Sequence, residues 1–203
     1  MATAISATRR ADPYTLAESA PARCYVSAKC QLATSQQIQH CVLACSKKHA
    51  FMDGHELGFE IGKAIPLRVA AGGANRALLV STGVATTRAL AAAGLLEAKG
   101  IECTVLHVHT VKPLDTTALL HFAHDVTVVV TIEEHTVIGG LGSAVTDALV
   151  DGCRPRLPLI RRLGIPDVFA AKYGNQDELM EMYGLQPPQI AEAVWETLEL
   201  LPA

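Results

Sequence analysis

Three observations predict a three-layer α/β fold with a mostly parallel sheet for the chain beyond residue 52. Short, nearly continuous apolar runs recur at 76–82, 102–109, 126–132 and 157–163, the pattern of strands buried on both faces. Segments between them place Ala and Leu at helical spacing. Half of the 203 residues are hydrophobic and only 4% aromatic, which suits closely packed helices on a buried sheet better than a β-sandwich. Strands alternating with helices imply a parallel sheet covered on both sides, and right-handed crossovers then restrict the topology.

Taken in order, residues 76–82 (RALLVST) read as a buried strand that Gly83 breaks. Residues 85–99 read as a helix closed by Lys99 in its last turn and by Gly100. Residues 102–109 (ECTVLHVH) alternate into a second strand. Lys112-Pro113-Leu114-Asp115 is a turn, and Asp115 caps a helix running to about His124, its carboxylate accepting an N–H of the first turn. Residues 126–132 (VTVVVTI) are a third, fully buried strand. A helix opens at Gly139–Ser143 and runs to about Val150, and residues 157–163 are a fourth strand. Asn175 and Glu178 have capping-box spacing, and the short helix they open ends at Tyr183-Gly184. Pro187 and Pro188 start a last helix, where a missing N–H costs little.

Charge divides the chain. Residues 1–52 hold six Lys/Arg and two Asp/Glu, a balance of +4, whereas residues 53–203 hold eleven and eighteen, a balance of −7. The first region lacks clear periodicity and is expected to be poorly ordered or loosely attached, with one short helix near 35–44. A net charge of −3 argues against nucleic acid as partner. No apolar run approaches the roughly 20 residues that span a bilayer, and no hydrophobic stretch follows the N-terminal charges as in a secretory signal. Six cysteines at 24, 30, 41, 45, 103 and 153 fit reduced thiols in a cytoplasmic protein, and their spacing matches no usual zinc pattern.

The sharpest local motif runs from Thr131 to Val145 (TIEEHTVIGGLGSAV). A strand leads into Glu133, Glu134 and His135, then into Gly139, Gly140 and Gly142 with Ser143 at the helix start. Gly140-Leu141-Gly142 supplies the G-x-G of a dinucleotide fingerprint. Val145 takes the third glycine's place, however, and Leu159-Ile160-Arg161-Arg162 stands where ribose recognition needs an acid. The other reading is a tight strand-to-helix connection whose helix N-terminus faces another domain or subunit. Glu133, Glu134 and His135 form a candidate acid/base group. Glu133 and His135 share a side if the strand continues that far, and the alternative is that these residues cap the strand end or pair with a neighbouring chain. His107 and His109 share a strand face but lack a third ligand at a telling spacing. No nucleophile elbow, phosphate loop or H-E-x-x-H occurs.

In order along the chain, GFEIGKA at 58–64, Leu78–Gly83, HTVKPLD at 109–115, Glu133-Glu134-His135 with the glycine loop, RLGIPDVF at 162–169, Tyr173-Gly174 and Tyr183-Gly184-Leu185 resemble the C-terminal domain of the transketolase family. The E-E-H form is most similar to two-subunit transketolases, with deoxyxylulose-phosphate synthases and pyruvate dehydrogenase β subunits next. The resemblance covers about three quarters of the chain. It implies a five-stranded mixed sheet whose first strand, about 65–69, is antiparallel to the rest. It further implies an enzyme that moves a two-carbon ketol unit between sugar phosphates, with thiamine diphosphate and Mg2+ held between pyrophosphate- and pyrimidine-binding domains.

In such enzymes the C-terminal domain supports assembly and does not hold the cofactor. A pyrimidine-binding domain, which carries the family's activating glutamate, should precede residue 53, and residues 1–52 match it at most as a remnant. No catalytic, cofactor or metal residue is therefore assigned to this chain. The expectation is a C-terminal subunit or fragment that is not catalytic by itself. It would act in a homo- or hetero-oligomer with chains carrying the pyrophosphate- and pyrimidine-binding folds. The alternative is a non-enzymatic interaction or regulatory module on the same fold.

Overall fold

The apolar runs stack as strands of one sheet. The computed structural model describes residues 60–70, 75–152, 156–169 and 174–200; the segment 1–52, with the helix expected near 35–44, lies outside them. The elements are β1 (Ile65–Arg68), β2 (Asn75–Ser81), α1 (Ala85–Glu97), β3 (Glu102–His107), α2 (Thr116–Ala123), β4 (Val128–Thr136), α3 (Leu141–Gly152), β5 (Leu159–Ile165), α4 (Gln176–Met182) and α5 (Pro187–Glu199). The five strands lie in the order β1-β3-β2-β4-β5. β1 runs antiparallel to β3, and the remaining pairs are parallel.

Two helical layers cover the sheet because successive side chains of a strand point to opposite faces. Leu79, Val105 and Val130 pack beneath α1 and α5, together with Met180 of α4. Leu78, Leu106 and Val129 pack on the other face against Phe122 of α2 and Leu141 and Val145 of α3. Ala85, Ala89, Ala92 and Ala93 of α1 are fully buried, and their small size lets the helix lie close to sheet and α5. Burying one such leucine contributes about 1.5–3 kcal/mol, and truncating Leu79 to Ala should cost about 2–5 kcal/mol through the cavity left behind.

Local chemistry sets the helix starts. One oxygen of Asp115 accepts from the Ala118 N–H at 3.0 Å and caps α2. Its other oxygen accepts from the Ala64 N–H at 3.0 Å, which fastens the segment entering β1 onto the β3–α2 loop. Asn175 and Glu178 form both bonds of the capping box on α4. Helix α1, by contrast, ends at Glu97 with no basic residue in its last turn. Lys99 lies beyond it, 5.3 Å from the centre of the Trp195 ring, where a cation over the π face is favourable. Gly100 takes φ +78, the left-handed conformation that closes a helix at little cost to glycine.

The crossovers position the site. β2 connects through α1 to β3 on one side, and β3 returns through α2 over the other face to β4. The winding direction reverses between β2 and β4. In open α/β sheets the crevice at the carboxyl ends of two such strands is where ligands bind.

Candidate functional site

β4 is longer than its apolar run. It continues to Thr136, pairing Thr136 with Ile165 of β5 across a register irregularity. The expectation of a strand ending at Ile132 is thereby corrected, and the reason lies in Glu133. Its side chain is 1% exposed, and its two oxygens accept from the N–H groups of Leu141 at 2.7 Å and Gly142 at 2.8 Å. An acid here is neither a strand terminator nor a free base. It supplies negative charge to the N-terminus of α3, where unpaired N–H groups and the helix dipole favour an anion.

The glycines make room for this clamp. A Cβ at Gly140 would overlap the Glu133 carboxylate. A Cβ at Gly142 would stand 2.9 Å from both Thr131 Oγ1 and Arg162 Cδ. Gly139 has φ +72, and its N–H donates to Ser143 Oγ at 3.0 Å, while the Ser143 hydroxyl donates to the Val137 carbonyl at 3.3 Å. Ser143 thus latches the loop that Gly139 turns. Glu133, Gly139, Gly140, Gly142 and Ser143 form one connected structure.

Glu134 and His135 do not join it. Glu134 accepts from the Gln176 side chain at 2.9 Å, linking β4 to α4. His135 is exposed. It lines, with Glu133, Thr82, Val111, Ile138 and Leu141, a cleft of about 250 Å³ at the point where the winding reverses. Glu134 parts from the other two because successive residues of a strand face opposite ways, whereas Glu133 and His135 share the cleft side as expected for a strand that continues, with Glu133 engaged by backbone donors.

Beside the cleft lies a buried polar cluster. His107 Nδ1 is 2.8 Å from Thr86 Oγ1, and the Ser81 hydroxyl donates to the same oxygen at 3.1 Å. Burial, reinforced by His109, holds His107 down to about 4, against a smaller upward effect of the Ser81 backbone. Burial also lowers His109. The two rings sit 6.0 Å apart. Burial disfavours the charged form of both imidazoles, as in packed residues, and no group of three or more His, Cys, Asp or Glu able to hold a metal occurs among the described residues.

Two residues of the site carry no functional mark in the sequence reading. Thr82 reads there only as the end of a strand within the Leu78–Gly83 stretch, yet it is buried in the cleft wall and its hydroxyl lacks a hydrogen-bond partner. Gly164 reads there only as part of its motif. A Cβ at this glycine would meet the His135 carbonyl at 2.9 Å and Glu133 Cγ at 3.1 Å, so β5 can lie against the clamp only with glycine at this position. The signal that could have found it is Arg162-Leu163-Gly164-Ile165, a glycine inside a strand.

Comparison with known proteins joins these features to a family. The model of the transketolase C-terminal domain matches residues 69–190. The chain belongs to that family. It is 42% identical over 143 residues to a putative uncharacterized transketolase family protein of Sinorhizobium fredii, covering 70% of this chain and 39% of the relative. It is 41% identical over 148 residues to the 6-deoxy-6-sulfo-D-fructose transketolase subunit SqwH of a Clostridium species, covering 73% of this chain and 44% of that one. A solved split-gene transketolase, described as an inactive beta4 tetramer, matches with a TM-score of 0.62 and 37% identity over 70% of this chain and 44% of its own. Transketolase from Pichia stipitis, at 18% identity and a TM-score of 0.52 over 68% of this chain and 18% of that one, shares the fold. The chain thus spans less than half the length of these relatives. The five-stranded mixed sheet expected for the transketolase C-terminal domain is the one observed.

Proposed function

We propose that this chain provides the C-terminal domain of a thiamine-diphosphate-dependent, transketolase-type enzyme and supports its assembly. Two-carbon ketol transfer between sugar phosphates would require chains or domains with the pyrophosphate- and pyrimidine-binding folds, in the cytoplasm. The observation that carries this reading is the Glu133 clamp. In a doubly wound sheet the helix N-terminus at the reversal point is the natural seat of a phosphate. Here the chain's own carboxylate holds the donors of Leu141 and Gly142.

The described residues do not fit thiamine diphosphate and Mg2+. A diphosphate needs free N–H donors or cations, and the metal needs convergent oxygen ligands, whereas these donors are satisfied and no such ligand group is present among the described residues. The role supported by the site is mechanical. The clamp fixes the loop from Val137 to Gly142 and thereby the shape of the sheet's carboxyl edge. No helix of the described residues is long and apolar enough to cross a membrane.

Calorimetric titration of the isolated chain with thiamine diphosphate and Mg2+ tests the reading. No heat of binding is expected, and no ketol transfer from fructose 6-phosphate to ribose 5-phosphate. Micromolar binding or measurable turnover by the chain alone would overturn it.

A further inference from the structure

The open edge of the sheet has the opposite charge to the rest of the domain. β5 is the last strand in the order β1-β3-β2-β4-β5, and among the described residues it pairs with β4 alone. The Leu159 N–H donates inward to the Thr127 carbonyl at 2.9 Å. Backbone groups alternate sides along a strand, so the N–H and C=O groups of Ile160, Arg162 and Gly164 point away from β4. None of them has a partner among the described residues.

Residues 154–162 (RPRLPLIRR) hold four of the eleven Lys/Arg found beyond residue 52 and no acid, within a region whose balance is −7. Arg156, Arg161 and Arg162 are exposed, and none forms an ion pair with a described acid. The register sets Arg161 beside Val130 and Arg162 beside Thr131, so the two arginines stand on opposite faces of β5. Arg162 Nη1 donates to the Val137 carbonyl at 3.3 Å, whereas Arg161 has no hydrogen-bond partner among the described residues. Leu157 and Leu159, 46% and 39% exposed, lie next to them. An edge that is merely guarded against pairing needs charge and no apolar surface. This one joins both to a row of unpaired backbone groups.

We propose that β5 receives an acidic, extended segment of another protein as a sixth strand. Backbone pairing with Ile160, Arg162 and Gly164 gives affinity, and two consecutive carboxylates, one on each face, meet Arg161 and Arg162. Guanidinium forks suit this use, since they match carboxylates in a bidentate geometry. The arginines also set what is refused. Two β5 strands paired antiparallel would bring the Arg161-Arg162 segment against its own copy, and like charges directly opposite are destabilising. Residues 1–52, at +4, have the wrong sign to occupy the edge of their own chain.

NMR titration of the isotope-labelled full-length chain with the peptide acetyl-TVEEVT-amide tests the edge. Saturable, submillimolar binding is expected, with amide shifts and slowed deuterium exchange centred on Ile160, Arg162 and Gly164. Acetyl-TVKKVT-amide should bind roughly tenfold or more weakly. Arg161→Glu should weaken the acidic peptide roughly tenfold and strengthen the basic one, an exchange of preference that structural damage does not produce. N-methylation of both glutamates of the peptide keeps its charge, blocks one amide on each of its edges and should abolish binding. No saturation at millimolar peptide, equal binding of the two peptides, retained binding of the methylated one, or shifts that bypass β5 would overturn the proposal. So would preferential binding of a single-stranded oligonucleotide, which would assign the arginines to phosphates. No β5 residue lines the cleft, so none of these outcomes bears on the thiamine diphosphate titration, and the two readings fail separately.

Discussion

Replacing Glu133 by Ala removes the acceptors of two buried N–H groups at the start of α3. Each buried donor left unpaired costs about 1–3 kcal/mol, and the lost charge–dipole contact adds about 0.3–2 kcal/mol. Relief from burying a carboxylate at 1% exposure offsets part of this. The balance is about 3 kcal/mol, against a total of about 5–15 kcal/mol for an ordinary domain. A second substitution isolates the mechanism. Gly140→Ala puts a Cβ into the carboxylate and 3.0 Å from the Thr136 carbonyl, an overpacking worth about 1–3 kcal/mol. In the Glu133→Ala background the larger clash is gone, and Gly140→Ala should cost about 1 kcal/mol or less. The two changes are therefore sub-additive by about 1–2 kcal/mol, as expected for residues in contact. Urea unfolding of the four proteins followed by circular dichroism, at unchanged denaturant slope, measures the cycle. Strict additivity, or a Glu133→Ala variant within about 0.5 kcal/mol of wild type, would refute the clamp as the element that fixes this loop.

Acid should weaken the fold through His107. Its native value of about 4 lies below the ordinary 6.5, so the unfolded chain takes up a proton that the native protein refuses. The resulting stability is fully present above pH 6.5 and is lost as pH falls from there towards 4, by at most about 3 kcal/mol; urea midpoints at pH 7.5 and 4.5 should differ accordingly, and His107→Gln should flatten the slope. Asp115→Ala strips acceptors from the Ala64 and Ala118 N–H groups and should cost about 2–3 kcal/mol by the same measurement, whereas Asn175→Ala, at an exposed cap, should cost about 1 kcal/mol. Burial pushes the Cys103 thiol up to about 12, so peptide mapping after iodoacetamide at pH 8 should find it unlabelled in the native chain and labelled in urea.

The fold was legible because its signals are local. Buried parallel strands declare themselves by continuous apolar runs, and Asp115 and Asn175 announce their helices by cap chemistry, and both caps form. The bounds that moved did so where tertiary partners override the local pattern. β4 runs four residues past its apolar run because backbone pairing with β5 does not depend on side-chain polarity, and because Glu133 finds its donors eight and nine residues away. At the site, the glycine loop could be located but not interpreted. A carboxylate that serves its own helix and one that serves a substrate have the same sequence, and only the position of the N–H groups separates them. Ser81, Thr86 and His107 could not have been grouped, since their contact depends on β2 and β3 being neighbours.

The clamp also bears on what the cleft can accept. An anionic ligand at α3 would have to displace a carboxylate held by two short bonds and leave that charge without partners in a buried site, a change costing several kcal/mol. At the reversal point the chain's own carboxylate thus takes the place a phosphate would occupy. What remains at the mouth is Val111, Ile138 and Leu141 beside His135, Thr136 and the unpartnered hydroxyl of Thr82. The wall mixes apolar and polar groups, and Glu133 pins the loop behind it. The same carboxylate that occupies the donors of α3 thus also fixes the wall of the cleft.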